Sequence, residues 1–204
     1  MRTAKRQSRF MRRFVYKHQK PGDYKMDYVY RYDSPVGKMT IASDGTALTG
    51  LWFDGQKFFA GTLSEPYEEK ILPVFEDTIS WLDTYFSGEI PDFTPELSVQ
   101  STPFRKAVWD ILLTIPYGQT ITYGEIADII AQQTGKKMSA QAVGGAVGHN
   151  PVSIIIPCHR VVGADGSMTG YAGGIVRKKF LLELEGNKKG GIIAAEIKPD
   201  YLLG

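Results

Sequence analysis

Cysteine, whose thiolate is a strong nucleophile, occurs once in this chain. Cys158 lies in the segment IIIPCHRVVG, directly before His159 and Arg160. Cationic neighbours lower the pKa of a thiol, and a Cys–His pair is a common arrangement in nucleophilic catalysis. A lone cysteine is also often an inert, buried hydrophobic residue. The local sequence therefore leaves two interpretations of Cys158, a nucleophile and a core residue.

The cysteine and histidine counts limit other kinds of chemistry. One cysteine and three histidines, His18, His149 and His159, leave no internal disulfide and too few ligands for a cysteine-rich zinc site. We expect no metal and no other cofactor. A lone thiol is best kept in a reducing compartment, so we expect a cytoplasmic protein. No apolar run approaches the roughly 20 residues of a membrane span, so no membrane partner is expected.

The charge of the chain is distributed unevenly. Residues 1–25 carry a net charge of +8, residues 26–100 carry −9 and residues 101–180 carry +4, within a total of +2. A basic segment attracts anionic partners such as nucleic acid, although a modest patch also arises by chance. We expect residues 1–25 to be a basic extension that is disordered or precedes the true start. A nucleic-acid-binding arm is the alternative.

The elements that must position Cys158 fall into two groups. The first group forms an α/β unit, which we place at residues 26–97. Alternating apolar residues predict three strands and apolar residues at helical spacing predict one helix, before a proline-containing boundary in PDFTPEL. The predicted strands are 28–32, 38–43 and 47–53, and the predicted helix is 73–87.

The second group is helical and occupies residues 98–187, followed by a tail at 188–204. Three hydroxyl residues precede apolar runs with helical spacing and predict helix starts. The last two of these helices are separated by a short turn, which is typical of a helix-turn-helix. After them, the apolar run SIII predicts a buried strand that leads into Cys158. The predicted N-caps are Thr102, Thr122 and Ser139.

The third of these helices has an unusual composition. Its sequence AQAVGGAVG consists almost entirely of small residues, and each internal glycine costs about 1 kcal/mol against alanine. Small side chains permit close approach of another helix or of a DNA backbone. Only Gln141 could contact base edges, so sequence-specific reading of the major groove is not expected.

The segment HNPVSIIIPCHRVVGADGSMTGYAGG, preceded by AVGGAVG, resembles the O6-alkylguanine-DNA alkyltransferases, also called methylated-DNA–protein-cysteine methyltransferases. The resemblance covers about residues 28–186 and is strongest over 103–186. It implies an α+β protein with an N-terminal ribonuclease-H-like α/β domain. A C-terminal helical, winged-helix-like DNA-binding domain would follow.

The same resemblance implies DNA repair by direct reversal. A monomer would bind the minor groove of double-stranded DNA, flip O6-alkylguanine out of the stack and transfer its alkyl group irreversibly to a cysteine. No cofactor is implied, and whether O4-alkylthymine is also a substrate stays open.

The resemblance gives five residues catalytic roles. Cys158 would be the nucleophile and permanent alkyl acceptor. His159 would take its proton through a water, and Glu185 would orient His159. Asn150 would brace the turn before the cysteine. Tyr123 would help to rotate the nucleotide out of the helix and would protonate the departing guanine.

Other residues would contact the DNA or the flipped base. Gln141 stands where family members often carry an arginine that fills the space left by the base, and glutamine lacks the charge and stacking plane of a guanidinium. Tyr171 would form the pocket wall and Lys178 would lie near it. The further implied DNA contacts are Ser139, Ala142, Gly144, Gly145, Tyr123 and Arg160, and the further pocket residues are Pro157, Ala172 and Gly173.

Three alternative functions are less compatible with the sequence. A non-catalytic damage-binding module would not need the intact Cys158, His159 and Glu185. A regulator of the adaptive-response type would need a cysteine-rich metal domain, and the chain has one cysteine. A Cys–His thiol hydrolase would turn over repeatedly on small esters or peptides.

The position of the basic extension leads to a first prediction. A chain beginning at Met26 should fold and carry out alkyl transfer at the full-length rate, because residues 1–25 contain none of the motif residues. Its DNA affinity should fall at low salt, since a charge of +8 is removed. Thermal unfolding and single-turnover transfer measure both properties. An unfolded or inactive truncated chain would contradict the prediction.

Overall fold

The computed structural model describes residues 26–186, so the predicted extension at 1–25 and the tail at 188–204 lie outside the described residues. The elements of the first half confirm the predicted strands and helix, and they add a short strand before the helix. No helix between residues 26 and 186 is long and apolar enough to cross a membrane. The elements of the first half are β1 (Asp27–Ser34), β2 (Gly37–Ser43), β3 (Leu48–Phe53), β4 (Tyr67–Glu69) and α1 (Pro73–Phe86).

These strands form one sheet in the order β3-β2-β1-β4. Strand β2 pairs antiparallel with both β1 and β3, and β4 pairs in parallel with β1. Helix α1 buries a stripe that includes Phe75, Leu82 and Tyr85, as its apolar spacing predicts. It ends at Ser87, and Gly88 follows with a φ of 87°. Glycine adopts this left-handed conformation without steric cost, so Gly88 stops the helix as predicted.

The second half contains the helices predicted from their N-caps. Thr102 accepts a hydrogen bond from the Arg105 amide, and Thr122 and Glu125 form a complete capping box. The Ser139 hydroxyl accepts from the Ala142 amide. These caps satisfy amides that a helix start otherwise leaves unpaired. The elements are α2 (Pro103–Leu112), β5 (Ile121–Thr122), α3 (Tyr123–Thr134), α4 (Ala140–Gly148), a 3-10 helix (Cys158–Arg160), β6 (Val161–Val162) and α5 (Ile175–Leu184).

The two halves are joined by backbone hydrogen bonds as well as by side-chain packing. The Leu51 amide donates to the Pro151 carbonyl, and the Ser153 amide donates to the Leu51 carbonyl. One cluster of buried apolar side chains contains residues from both halves, Cys158 among them. The segment before the cysteine is therefore held by the edge of the N-terminal sheet.

The predicted strand at SIII is wrong. Residues 153–156 form a buried turn, in which Ile154 has a φ of 69° and only Val152 makes a bridge to β3. The chain winds around the Asn150 side chain, whose amide nitrogen donates to the carbonyls of Val152 and Ile156. An apolar run alone predicts burial but cannot distinguish an extended segment from a turn closed by a side-chain amide.

Candidate active site

The candidate site is built around a buried thiol. Cys158 is the first residue of the 3-10 helix, and its side chain lies in the apolar core with 4% of the residue exposed. The Asn150 amide nitrogen lies 3.0 Å from Sγ and donates to it. Since this nitrogen also donates to two carbonyls of the turn, one side chain fixes both the backbone and the sulfur.

Burial raises the pKa of Cys158 to about 11. The Asn150 hydrogen bond and the charge of Lys178 act in the opposite direction but do not outweigh burial. The expectation that the His159 and Arg160 side chains lower this pKa is wrong, because both are engaged with Glu185. The resting thiol is therefore protonated at neutral pH and needs a base to become a nucleophile.

His159 is placed to be that base. Its ring is fully buried, and Nε2 lies 2.7 Å from Oε1 of Glu185. Burial lowers the pKa of His159 below its usual 6.5, against the opposing pull of Glu185, so the ring is neutral at pH 7. A neutral ring that donates from Nε2 carries no proton on Nδ1. This Nδ1 has no hydrogen-bond partner among residues 26–186 and can accept a proton.

Glu185 is the anion of the site. Burial alone would raise the pKa of its carboxyl group, but the contacts of His159 and Arg160 hold it well below its usual range. Arg160 donates from Nε to Oε2 at 2.9 Å and from Nη2 to Oε1 at 3.0 Å, a bidentate pair. Its Nη1 donates to the Ile115 carbonyl. These inward contacts occupy the guanidinium, for which the resemblance implies a DNA contact.

Tyr123 and Lys178 meet at one carbonyl beside the thiol. The Tyr123 hydroxyl donates to the Thr169 carbonyl at 3.1 Å, and Lys178 Nζ donates to the same oxygen at 3.0 Å. Lys178 is fully buried and also donates to the Val161 carbonyl. Burial lowers its pKa to about 8. The structure thus brings together both residues that the resemblance placed near the reacting base.

The loop at residues 170–174 covers the site and is held by the N-terminal half. The Tyr171 ring lies edge-on to His159, with ring centres 6.5 Å apart. A Cβ at Gly173 would lie 2.7 Å from the Tyr171 ring and 2.9 Å from the Phe53 ring, so only glycine fits between them. The Ala172 carbonyl accepts from the Lys57 amide. Pro157, directly before the thiol, is buried.

Helix α4 presents small residues to solvent near this loop. Ser139, Gln141, Ala142 and Gly145 are exposed and lie on or next to its outer face. Gly144 is half-buried instead, and a Cβ there would lie 3.8 Å from the Tyr123 ring. The exposed face therefore offers little side-chain bulk, and Gln141 is the longest side chain that it presents.

Several residues of the site carry no local sequence signal. Tyr85 donates to Oε1 of Glu185 at 2.8 Å from helix α1, and the Gly118 amide donates to Oε2 at 3.0 Å. Arg177 donates to the carbonyls of Gly173 and Val36 and so ties the loop to the first half. Tyr85 lies within an apolar helical stripe and Gly118 within the helix-breaking segment PYGQT, and neither pattern indicates a contact with Glu185.

The arrangement is suited to nucleophilic substitution by a thiol with assistance from a base. Comparison with known proteins agrees with this chemistry. A family model described as the DNA binding domain of 6-O-methylguanine DNA methyltransferase matches residues 103–187, and its ribonuclease-like domain matches residues 28–99. The chain belongs to the 6-O-methylguanine DNA methyltransferase family. The matches confirm the predicted α+β fold class, with a ribonuclease-like domain before a helical DNA-binding domain.

Individual relatives of this methyltransferase family cover most of the chain. The methylated-DNA–protein-cysteine methyltransferase of Mycobacterium bovis is 48% identical over 75% of this chain and 88% of the relative. That of Haemophilus influenzae is 42% identical over 78% of this chain and 85% of its own length. The crystal structure of Mycobacterium tuberculosis OGT in complex with DNA is similar with a TM-score of 0.67 and 46% identity. It covers 78% of this chain and 92% of the OGT chain.

The close approach of Gly118 to Glu185 yields a second prediction. Gly118 has a φ of 74°, and a Cβ there would lie 2.6 Å from the Glu185 carbonyl oxygen. Gly118→Ala should therefore destabilise the fold by about 1–3 kcal/mol more than backbone strain alone. At roughly 2–4 °C per kcal/mol for a protein of this size, thermal unfolding will resolve the difference.

The matched control for this comparison is Gly135→Ala. Gly135 has a similar φ of 67°, but a Cβ there has no neighbour within 4 Å among the described residues. It therefore reports the cost of left-handed backbone without the collision. Equal losses of stability in the two variants would contradict the argument.

Proposed function

We propose that this protein repairs DNA by direct reversal, transferring the alkyl group of O6-alkylguanine to Cys158 in a single irreversible step. The observation that carries the proposal is the state of His159. Its Nε2 is engaged by the ionised Glu185, which leaves an unprotonated, buried Nδ1 on the residue that directly follows the protonated Cys158 in the chain. This arrangement generates a thiolate on demand without exposing one beforehand.

In the proposed reaction, two proton transfers accompany the transfer of the alkyl group to Cys158. The Cys158 proton passes to Nδ1 of His159 through a water, and the sulfur attacks the alkyl carbon on O6 of the flipped base. The S–C bond forms as the C–O6 bond breaks, and the guanine leaving group takes up a proton from Tyr123. The proton held on His159 then returns through water to the Tyr123 oxygen, so that both residues end in their starting protonation states. The Tyr123 hydroxyl is held by the Thr169 carbonyl at the edge of the site, which supports this assignment.

The roles of the remaining charged residues follow from their contacts. Glu185 fixes the tautomer of His159 and stabilises the imidazolium that forms during transfer. Arg160 is assigned to holding Glu185 ionised, in place of the DNA contact expected for it. Lys178 supplies positive charge beside the sulfur as the thiolate develops, and Asn150 donates to the same atom. Tyr171 and the loop behind it would enclose the flipped base, together with Pro157, Ala172 and Gly173.

We assign the exposed face of α4 to the minor groove. Its outer residues Ser139, Ala142 and Gly145 leave room for the sugar–phosphate walls, and Gly144 lets Tyr123 pack against the helix. Such a face contacts the DNA backbone without reading bases, as repair of lesions in any sequence requires. Gln141 would enter the stack in place of the flipped base. The relative from Mycobacterium tuberculosis crystallised with DNA supports a DNA partner.

The thioether formed on Cys158 has no leaving group, so one chain repairs one lesion. This distinguishes the proposal from a Cys–His hydrolase, which would regenerate its thiol. We further propose that the protein works as a cytoplasmic monomer. The domain division at about residue 97 is supported by the separate family matches on either side of it.

Intact-protein mass spectrometry tests the proposed function directly. After incubation with a duplex containing O6-methylguanine, each chain should gain the mass of one methyl group, located on Cys158, and no more than one. Cys158→Ala should keep its DNA affinity and gain no mass, because it lacks the only thiol of the chain. Repair of more than one equivalent of DNA would contradict the single-turnover mechanism.

A further prediction separates base flipping from thiol chemistry. Gln141→Arg should speed single-turnover transfer from duplex DNA by a factor equivalent to about 1–3 kcal/mol, the usual value of a good arginine contact to a base. It should leave transfer from the free base O6-benzylguanine nearly unchanged, because a free base needs no flipping. Gln141→Ala should slow duplex repair and also spare the free base.

The two substrates serve as internal controls for these variants. Gln141 is exposed and lies outside the hydrogen-bond network of Cys158 and His159. Rates that change in parallel on both substrates would show that Gln141 acts through the active site or the fold, and its assignment to base flipping would then be wrong.

A further inference from the structure

Among residues 26–186 the Glu185 carboxylate accepts five hydrogen bonds, and one of them comes from the other half of the chain. Oε1 accepts from His159, Arg160 and the Tyr85 hydroxyl, at 2.7, 3.0 and 2.8 Å. Oε2 accepts from Arg160 and from the Gly118 amide. Four of these donors belong to the DNA-binding half. Tyr85 belongs to α1 in the ribonuclease-like half, 100 residues before Glu185.

The Tyr85 ring is held rigidly where it meets the site. The residue is fully buried, and its ring stacks on Trp81 with centres 5.4 Å apart and planes 8° from parallel. Phe86 and Tyr117 lie edge-on to it. These contacts fix the ring, and the position of the hydroxyl oxygen is therefore fixed as well.

Packing accounts for the ring of Tyr85 but not for its hydroxyl. A phenylalanine would fill the same aromatic cluster, and burying a hydroxyl is unfavourable unless it is hydrogen-bonded. The hydroxyl contacts Oε1 of Glu185 at 2.8 Å and lies 3.4 Å from Nε2 of His159. Its oxygen thus stands beside the one hydrogen bond that sets the tautomer of the proposed base.

We propose that Tyr85 is a positioning residue for alkyl transfer, which fixes Oε1 of Glu185 toward His159 and limits the pull of that oxygen on the imidazole. The inference rests on the proposed function. It also gives the ribonuclease-like domain a role in alkyl transfer, because the Tyr85 hydroxyl that donates to Oε1 of Glu185 belongs to that domain. Tyr85 acts on His159 through Glu185 and does not itself meet the reacting atoms.

Tyr85 and His159 both donate to Oε1 of Glu185, and this competition sets the direction in which loss of the Tyr85 hydroxyl changes the pKa of His159. Each donor to Oε1 withdraws negative charge from it, so loss of the Tyr85 hydroxyl strengthens the remaining bond from His159. A stronger acceptor stabilises the imidazolium and raises the pKa of His159. Tyr85 itself stays protonated, because burial and the charge of Glu185 raise its pKa well above 10.

Other titrating groups around His159 do not obscure this effect. The pKa of Glu185 lies far below the acid range of interest, while Lys178 and Cys158 titrate near 8 and 11. Burial raises the pKa of the neighbouring tyrosines further above the acid range. The transfer rate should fall as the pH decreases below 6.5, and this acid decline therefore reports protonation of His159. The neighbouring tyrosines are Tyr117 and Tyr171.

The test compares the pH dependence of single-turnover transfer in Tyr85→Phe and wild type, with O6-benzylguanine as substrate to exclude DNA binding. In Tyr85→Phe the acid decline should move to higher pH by about half a unit or more. At a pH on the acid side of the wild-type decline, transfer should accordingly slow by about threefold or more. An unchanged decline, or one moved to lower pH, would overturn the proposal even if the rate falls at every pH.

Tyr32→Phe is the matched control. Tyr32 lies in the same half and its hydroxyl also donates to a carboxylate, Asp83, at 2.7 Å, but this hydrogen bond is exposed and involves neither Glu185 nor His159. Its profile should coincide with that of wild type, and a shift equal to that of Tyr85→Phe would overturn the proposal.

Partial unfolding of Tyr85→Phe can be separated from the expected result. In a single-turnover reaction with excess substrate, irreversibly unfolded chains lower the final amount of alkylated protein, whereas a reversibly unfolded fraction lowers the rate constant and is measured separately by circular dichroism at each pH. Absence of transfer in wild type would refute the proposed function, whereas transfer with coincident profiles would refute only the role of Tyr85.

Discussion

The buried charge of Glu185 is the constraint on which the site depends. An isolated carboxylate in an apolar interior is strongly disfavoured and becomes tolerable only when its oxygens are fully hydrogen-bonded. Here the donors come from helix α1, the turn at Gly118 and the 3-10 helix, and α5 ends at the carboxylate itself. Satisfying this one charge therefore fixes four segments relative to one another, and the orientation of His159 follows from it.

This arrangement keeps the nucleophile inactive until it is needed. Burial leaves Cys158 protonated, which protects the only thiol of the chain from unrelated electrophiles. The neutral His159 can accept a proton at Nδ1, because its Nε2 is already hydrogen-bonded to Glu185. Asn150 and Lys178 then favour the thiolate only as the proton leaves. Since each chain reacts once, protecting the thiol from side reactions matters more than keeping it as a reactive thiolate before the substrate binds.

Close approach of backbone explains the glycine content of the second half. Gly173 separates two aromatic rings, and Gly118 lies against the Glu185 carbonyl, so neither position has room for a side chain. Gly145 is different, because its surroundings within the described residues are open. The first two glycines serve the internal packing of the site, while the third leaves the outer surface of α4 without side-chain bulk, as the proposed contact with a groove requires. The same residue type thus meets two different physical requirements in this half of the chain.

Elements whose signals are local could be predicted from the sequence alone. Strand alternation, the caps at Thr102, Thr122 and Ser139 and the motif around Cys158 each lie within a few residues, so the fold class and the family could be predicted from them. The burial of SIII was also predictable, but its turn was not, because Asn150 closes it through side-chain hydrogen bonds. Only the tertiary structure decided the contacts of Arg160 and Tyr85. Both depend on where a distant carboxylate is buried, and a side chain's partner 25 or 100 residues away leaves no periodicity in the sequence.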